Sequence, residues 1–276
     1  MKLALVDICG EGDIKNREGD EYWKRPLDLL KNEKISFLDF ASGARTVEDK
    51  VQGFHDALKS DADLIWLVRG GYSCIQAFDK IDWNLVRQTA KPLYGLSDFT
   101  HLAWMAVQQG VRCYYGQGLT HFEKTFPNSS DADFLFSFLR TGTLPPFIVQ
   151  PLSTSATQTD LSSAQIIGGH LVVALLMLLQ YPIDLHDRYL FLEYHPGGLG
   201  EGLRDIGYYL EHLMNILKRT KNLPKGFIFG QSMLPQLDET SIPWKEINTF
   251  CAERVSRLDL PVYEIDHFKT VIPFHL

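Results

Sequence analysis

Short apolar runs separated by amphipathic stretches mark the first half of the chain. Leu3–Val6, Ile35–Leu38, Leu64–Val68 and Pro92–Leu96 are each four or five residues long with little polar interruption. Runs this short and this uniformly apolar read as strands covered on both faces. Between the second and third, Val47, Val51, Phe54 and Leu58 recur at helical spacing behind Thr46 and Asp49. That pair forms a capping-box start with Asp in place of the usual Glu or Gln. A further helix is predicted from His101 through Ala106, just after the fourth run. Strands alternating with helices at this period predict a parallel sheet with helices on its faces.

The pattern lapses at "PLSTSATQTDLSSAQ", residues 151–165, where Ser and Thr replace any apolar period. Such a stretch reads as a linker. Beyond it the alternation resumes: a helix from His170 to Gln180, a strand Tyr189–Glu193 and a glycine-rich loop "HPGGLGEG". A helix from about Leu203 to Lys218, a strand Gly226–Phe229, a helix near Trp244–Val255 and a strand Pro261–Ile265 complete the series. The fold class expected is α/β, with an N-terminal parallel-sheet domain over 1–150 and a smaller C-terminal α/β domain over 166–276.

Composition narrows the function. The 276 residues carry 27 Lys and Arg against 34 Asp and Glu, a net charge of −7. With no basic stripe to displace counterions from phosphates, nucleic acid is not an expected partner. Cys9, Cys74, Cys113 and Cys251 show neither CxxC nor Cys/His zinc spacing, so no metal is expected and the thiols read as those of a reducing compartment. Asp7 interrupts the first apolar run, which argues against a signal peptide. The longest apolar stretch, Leu171–Leu179, has nine residues, against roughly 18 or more for a membrane span. A cytoplasmic protein without membrane attachment is expected.

Candidate chemistry centres on "YGLSDFTHLAW", residues 94–104, where Gly95, Ser97 and Asp98 stand between a strand and a helix. A sharp strand-to-helix turn lifts a Ser hydroxyl out of the sheet and sets free helix N–H groups beside it. Nucleophile and oxyanion site then come from one local structure. The same residues also suit plain helix capping, and the second glycine of the nucleophile-elbow pattern is replaced by Phe99. "LVRGGYSC", residues 67–74, is another strand ending in paired glycines, Gly70 and Gly71, which permit a tight turn or a close approach to ligand. A nucleophilic Ser needs a base and the base an orienting group. His267 lies just past the last predicted strand, and Glu193 ends an otherwise apolar one.

Taken in order, these segments resemble the LD-carboxypeptidases, a family of serine peptidases that includes the microcin C immunity peptidases. "VRGGYSC" is similar to the family's RGGYG segment, and "YGLSDFTHL" to its nucleophile segment. "AQIIGGHL" is similar to its GGNL stretch, "LFLEYHPGG" to the segment with the triad glutamate, and "DHFKTVIPF" to the one with the triad histidine. The resemblance implies a Ser97–His267–Glu193 triad and an oxyanion hole from the backbone N–H groups of Asp98 and of Gly70 and Gly71. It further implies an active site between two α/β domains, no cofactor or metal, and a homodimer. The implied substrate is a small muropeptide, cut between an L-configured diamino acid centre and a terminal D-alanine in murein recycling. Arg69 is the nearest candidate by sequence for binding the substrate carboxylate, with a structural ion pair as the alternative. His170 would line the pocket. Ser73, His170, Tyr194 and Asp266 stand where the family has Gly, Asn, an acidic residue and Gly; these changes touch the pocket walls and spare the triad. An immunity-type peptidase acting on a peptidyl-nucleotide, or a catalytically idle binding protein of the same fold, are the alternative functions.

Overall fold

The computed structural model describes residues 1–11, 13, 14, 20–121, 132–194, 203–231 and 243–274. The glycine-rich loop expected at 195–202 lies outside the described residues. The chain divides into two units, one of Met1–Pro145 with Phe268–Leu276 and the other of Pro146–His267.

The first unit is built on strands β1 (Lys2–Val6), β2 (Ser36–Asp39), β3 (Leu64–Leu67), β4 (Leu93–Gly95), β5 (Cys113–Tyr115) and β12 (Ile272–Phe274). They run in the order β12-β5-β4-β3-β1-β2. All pairs are parallel except β12 with β5. Residues 64–67, Leu-Ile-Trp-Leu, are buried throughout, as a strand covered on both faces requires. Helices α1 (Asp20–Asn32), α2 (Val47–Lys59), α3 (Cys74–Ala77), α4 (Trp83–Thr89), α5 (Thr100–Gln108) and α6 (Asp133–Thr141) connect or cover the strands. The capping box forms as read: the Thr46 hydroxyl accepts from the Asp49 N–H, and the Asp49 carboxylate accepts from the Thr46 N–H. Trp23, Trp66, Tyr94, Phe136 and Phe138 fill one core cluster, with Trp66 edge-on to Tyr94 at 5.1 Å.

The second unit holds β6 (Ile148–Pro151), β7 (Thr159–Asp160), β8 (Ile166–His170), β9 (Tyr189–Glu193), β10 (Gly226–Phe229) and β11 (Val262–Glu264). Their order is β7-β6-β11-β10-β9-β8. Strands β8 to β11 are parallel neighbours, and β6 and β7 join antiparallel. The helices are α7 (Leu171–Gln180), α8 (Leu203–Thr220) and α9 (Trp244–Val255). No described helix is long and apolar enough to cross a membrane.

Two expectations about boundaries need correction. Residues 151–165 are not a free linker, because Pro151 and Thr159–Asp160 pair in the second sheet. β6 finds its other partner, β11, more than a hundred residues on, and β7 is only two residues long, so no local apolar period announces either. The final segment also leaves the second unit, for β12 pairs with β5 of the first.

Candidate functional site

In a parallel sheet, ligands gather at the carboxyl ends of the strands, above all where strand order reverses. In the first sheet β1 connects outward to β2 while β3 to β5 build the other way. The reversal falls between β1 and β3, and the residues leaving these two strands are Asp7–Cys9 and Arg69–Gly71.

Arg69 closes that crevice from within. Its Nε donates to Asp7 Oδ1 at 2.9 Å and its Nη2 to Asp7 Oδ2 at 2.6 Å, with a third bond to the Glu11 carbonyl at 3.1 Å. Arg69 is 4% exposed. Of the two expectations for Arg69, the structural ion pair is the one observed, a bidentate and buried pairing with Asp7. Lys50, also buried, approaches Asp7 Oδ2 to 3.8 Å and donates to the Gly10 carbonyl. Burial lowers the Lys50 pKa while the Asp7 charge opposes that shift.

Gly71 is needed for the turn that follows. Its φ is +156°, and a Cβ there would lie 2.0 Å from the Cys9 carbonyl oxygen. Gly70 packs directly on the candidate nucleophile, where a Cβ would come within 2.9 Å of Ser97 Cβ and 3.3 Å of Ser97 Oγ. The two motifs that the sequence separates by more than twenty residues thus meet at adjacent strand ends.

Ser97 itself has φ +56°, in the left-handed region that a non-glycine residue enters at a cost of about 1–2 kcal/mol. The helix-cap alternative does not hold for Ser97: neither the 3-10 turn Ser97–Phe99 nor α5 has a side-chain cap bond at its start. Instead, the Ser97 N–H donates to the Tyr115 hydroxyl at 2.6 Å, and its carbonyl accepts from Thr100 Oγ1 at 2.6 Å. Asp98 does cap, but on another helix. Its Oδ2 accepts from the Cys74 N–H at 2.9 Å, at the start of α3, and its Oδ1 faces His101 Nδ1 at 3.0 Å. These side-chain bonds leave its proposed oxyanion role to the backbone.

Cys9 and Cys74, scattered in sequence, meet here with Asp98, their ligand atoms all within 4.8 Å of one another. Burial is the largest influence on both thiols and raises both pKa values. With both carboxylate oxygens engaged, the cluster fits a packed polar floor under the Ser97 turn.

Tyr115 was not singled out by sequence, since an aromatic residue ending a short strand carries no local signal. It stacks on Phe274 of β12 at 5.4 Å and supplies the acceptor for the Ser97 N–H. Tyr115→Phe should strand that donor and destabilise the protein by about 1–3 kcal/mol, read by urea denaturation. A loss below 0.3 kcal/mol would mean that the hydroxyl does not hold the turn.

In the second sheet the remaining candidates stand at the ends of consecutive parallel strands. His170 ends β8 and is the register partner of Glu193, which ends β9. Glu193 is 7% exposed and His267 1%. The His267 imidazole lies edge-on to Phe191 at 5.7 Å, and its Nδ1 accepts from the Gln231 N–H at 2.9 Å. Burial lowers its pKa, and the charges of Glu193 and Asp266 oppose that shift. The ring is thereby held toward its neutral form. His170 stacks on Tyr194 at 5.7 Å with 26° between the rings, so two of the departures from the family pattern touch each other.

The chain is similar to known proteins in sequence over part of its length and in fold over all of it. Residues 24–116 match the family model described as the LD-carboxypeptidase N-terminal domain. A murein tetrapeptide carboxypeptidase of Pseudomonas aeruginosa is 32% identical over 75 residues. That alignment covers 26% of this chain and spans about a quarter of the relative, 24% of its length. Among solved structures, the microcin C7 self immunity protein MccF in complex with aspartyl sulfamoyl adenosine has a TM-score of 0.74 at 15% identity, covering 100% of this chain and 91% of that one. An MccF-like protein from Bacillus anthracis has a TM-score of 0.68 at 19% identity, with 99% and 89% covered. One from Streptococcus pneumoniae in complex with AMP has 0.73 at 15%, with 99% and 94% covered. The class is thus an α/β protein with the MccF-type fold. Over residues 24–116 the chain is similar to the LD-carboxypeptidase family.

Proposed function

We propose that this protein is a serine carboxypeptidase that releases the terminal D-alanine of murein tetrapeptides, with Ser97, His267 and Glu193 as its triad. The observation that carries the reading is Ser97 itself, held at positive φ at a strand end with Gly70 packed against its side chain. Strain of that kind persists where surrounding structure enforces it, and it collects at catalytic turns. Ser97 Oγ attacks the scissile carbonyl carbon while His267 takes its proton. The tetrahedral oxyanion accepts from the backbone N–H groups of Asp98 and of Gly70 and Gly71. The C–N bond then breaks as His267 returns the proton to the D-alanine amine, and water repeats the sequence to free the acyl group. Glu193 orients the imidazole and stabilises its charged form. Cytoplasmic location and homodimeric assembly belong to the same reading.

A second reading, an immunity-type peptidase acting on a peptidyl-nucleotide, draws on the His170–Tyr194 stack beside Glu193. Aromatic rings at that position suit a planar base. Mass spectrometry of reactions with murein tetrapeptide, pentapeptide and a peptidyl adenylate analogue separates the two. The expected result is loss of one D-alanine from the tetrapeptide and none from the pentapeptide, whose last bond joins two D-residues. Turnover of the adenylate analogue with an untouched tetrapeptide would move the assignment to the second reading.

A further inference from the structure

We propose that the Gly230–Gln231 corner, at the carboxyl end of β10, is a positioning element that fixes the place and the tautomer of the His267 imidazole. The inference rests on the triad reading for its catalytic meaning and on the geometry of the second unit for everything else. Strand β10 runs between β9, which ends in Glu193, and β11, which leads to His267. A Cβ on Gly230 would lie 2.8 Å from His267 Nδ1 and 2.8 Å from Phe191 Cζ. The missing side chain is therefore the space in which the ring lies, between strand end and Phe191.

Gln231 supplies the second constraint. Its backbone N–H donates to Nδ1 at 2.9 Å, and a neutral ring nitrogen that accepts a hydrogen bond cannot also bear the proton. The neutral imidazole is thus the Nε2–H tautomer, and before the ring can take the Ser97 proton that the triad reading assigns to it, Nδ1 must release the Gln231 N–H. Gln231 is itself anchored on both sides. With its amide oriented to satisfy its neighbours, the nitrogen donates to Asp266 Oδ1 at 3.1 Å and the oxygen accepts from Trp244 Nε1 at 3.0 Å. The N–H on Nδ1 favours the neutral ring, as burial does, whereas the carboxylates of Glu193 and Asp266 favour the charged one. Removing the N–H shifts that balance toward protonation.

The test compares Gln231→Pro, which lacks the N–H, with Gln231→Ala, which keeps it. Imidazole 15N NMR of the full-length protein should show His267 as the Nε2–H tautomer in wild type and in Gln231→Ala. In Gln231→Pro the tautomers should mix and the ring pKa should rise by about half to one unit. The acidic limb of kcat/KM on tetrapeptide should move to higher pH by the same amount. A purely structural role for Gln231 would lower the melting temperature and leave tautomer and limb alone. If Gln231→Pro does not fold, Gly230→Ala serves, since its Cβ must displace the ring and change both His267 15N shifts. Unchanged ring signals in a folded Gln231→Pro or Gly230→Ala protein would overturn the proposal. The NMR result stands independently of turnover, so an active Ser97→Ala enzyme would remove the triad reading without touching this one.

Discussion

Ser97→Ala should abolish release of D-alanine, lowering kcat by on the order of a million-fold, since triad members act as a unit. His267→Ala should lose nearly as much, and the double mutant little more. Glu193→Gln should lose less than either, because the carboxylate orients the base without taking the proton. The stability outcome has a direction of its own. Ser97 sits at φ +56°, where glycine is unstrained, so Ser97→Gly should gain about 1 kcal/mol while remaining inactive. Steady-state kinetics paired with urea denaturation reads both effects. A folded Ser97→Ala protein with wild-type turnover would refute the serine-peptidase reading.

Asp7→Asn should give the largest loss of stability, about 3–5 kcal/mol, because it leaves a buried cation without its counter-charge. Asp7 accepts two bonds from Arg69 and faces Lys50, and all three side chains are buried. Arg69→Met alone should cost a comparable amount. The double variant Asp7→Leu/Arg69→Met should recover only part of it, since it removes the buried pair but leaves Lys50 buried without the Asp7 charge. Urea denaturation at neutral pH measures the three variants against wild type. A loss under 1 kcal/mol for Asp7→Asn would mean that Lys50 and Arg69 find other partners. Activity should fall with stability here, because Arg69 directly precedes the Gly70 and Gly71 turn packed on Ser97 and Cys9.

The difference between Ser97 and Arg69 shows where sequence reasoning reaches its limit. The Ser97 turn was legible because strand, glycine, Ser and helix are contiguous, so the local sequence states the local geometry. Arg69 stayed open between carboxylate binding and a structural ion pair because its partner, Asp7, lies 62 residues earlier and follows a different strand. Asp7 did carry a signal, as a carboxylate closing an apolar run, but the run was informative only about the strand. Tyr115 and Gln231 carried none, since each acts through one bond to a residue remote in the chain.

By itself the sequence determined the α/β class, most of the strands and helices, the capping box at Thr46 and the order of the family motifs. These depend on hydrophobic period and on contacts within a few residues, which adjacent positions encode directly. Only the tertiary structure decided that residues 148–151 and 159–160 are edge strands of the second sheet, and that 272–274 returns to the first. It also decided that Arg69 belongs to Asp7, that Cys9 and Cys74 meet over Asp98, and that Gly230 leaves room for the His267 ring. Apart from the pairing of 148–149 with 159–160, each joins chain-distant groups, set by strand order and register, and no local period along one chain specifies which strand will lie beside another.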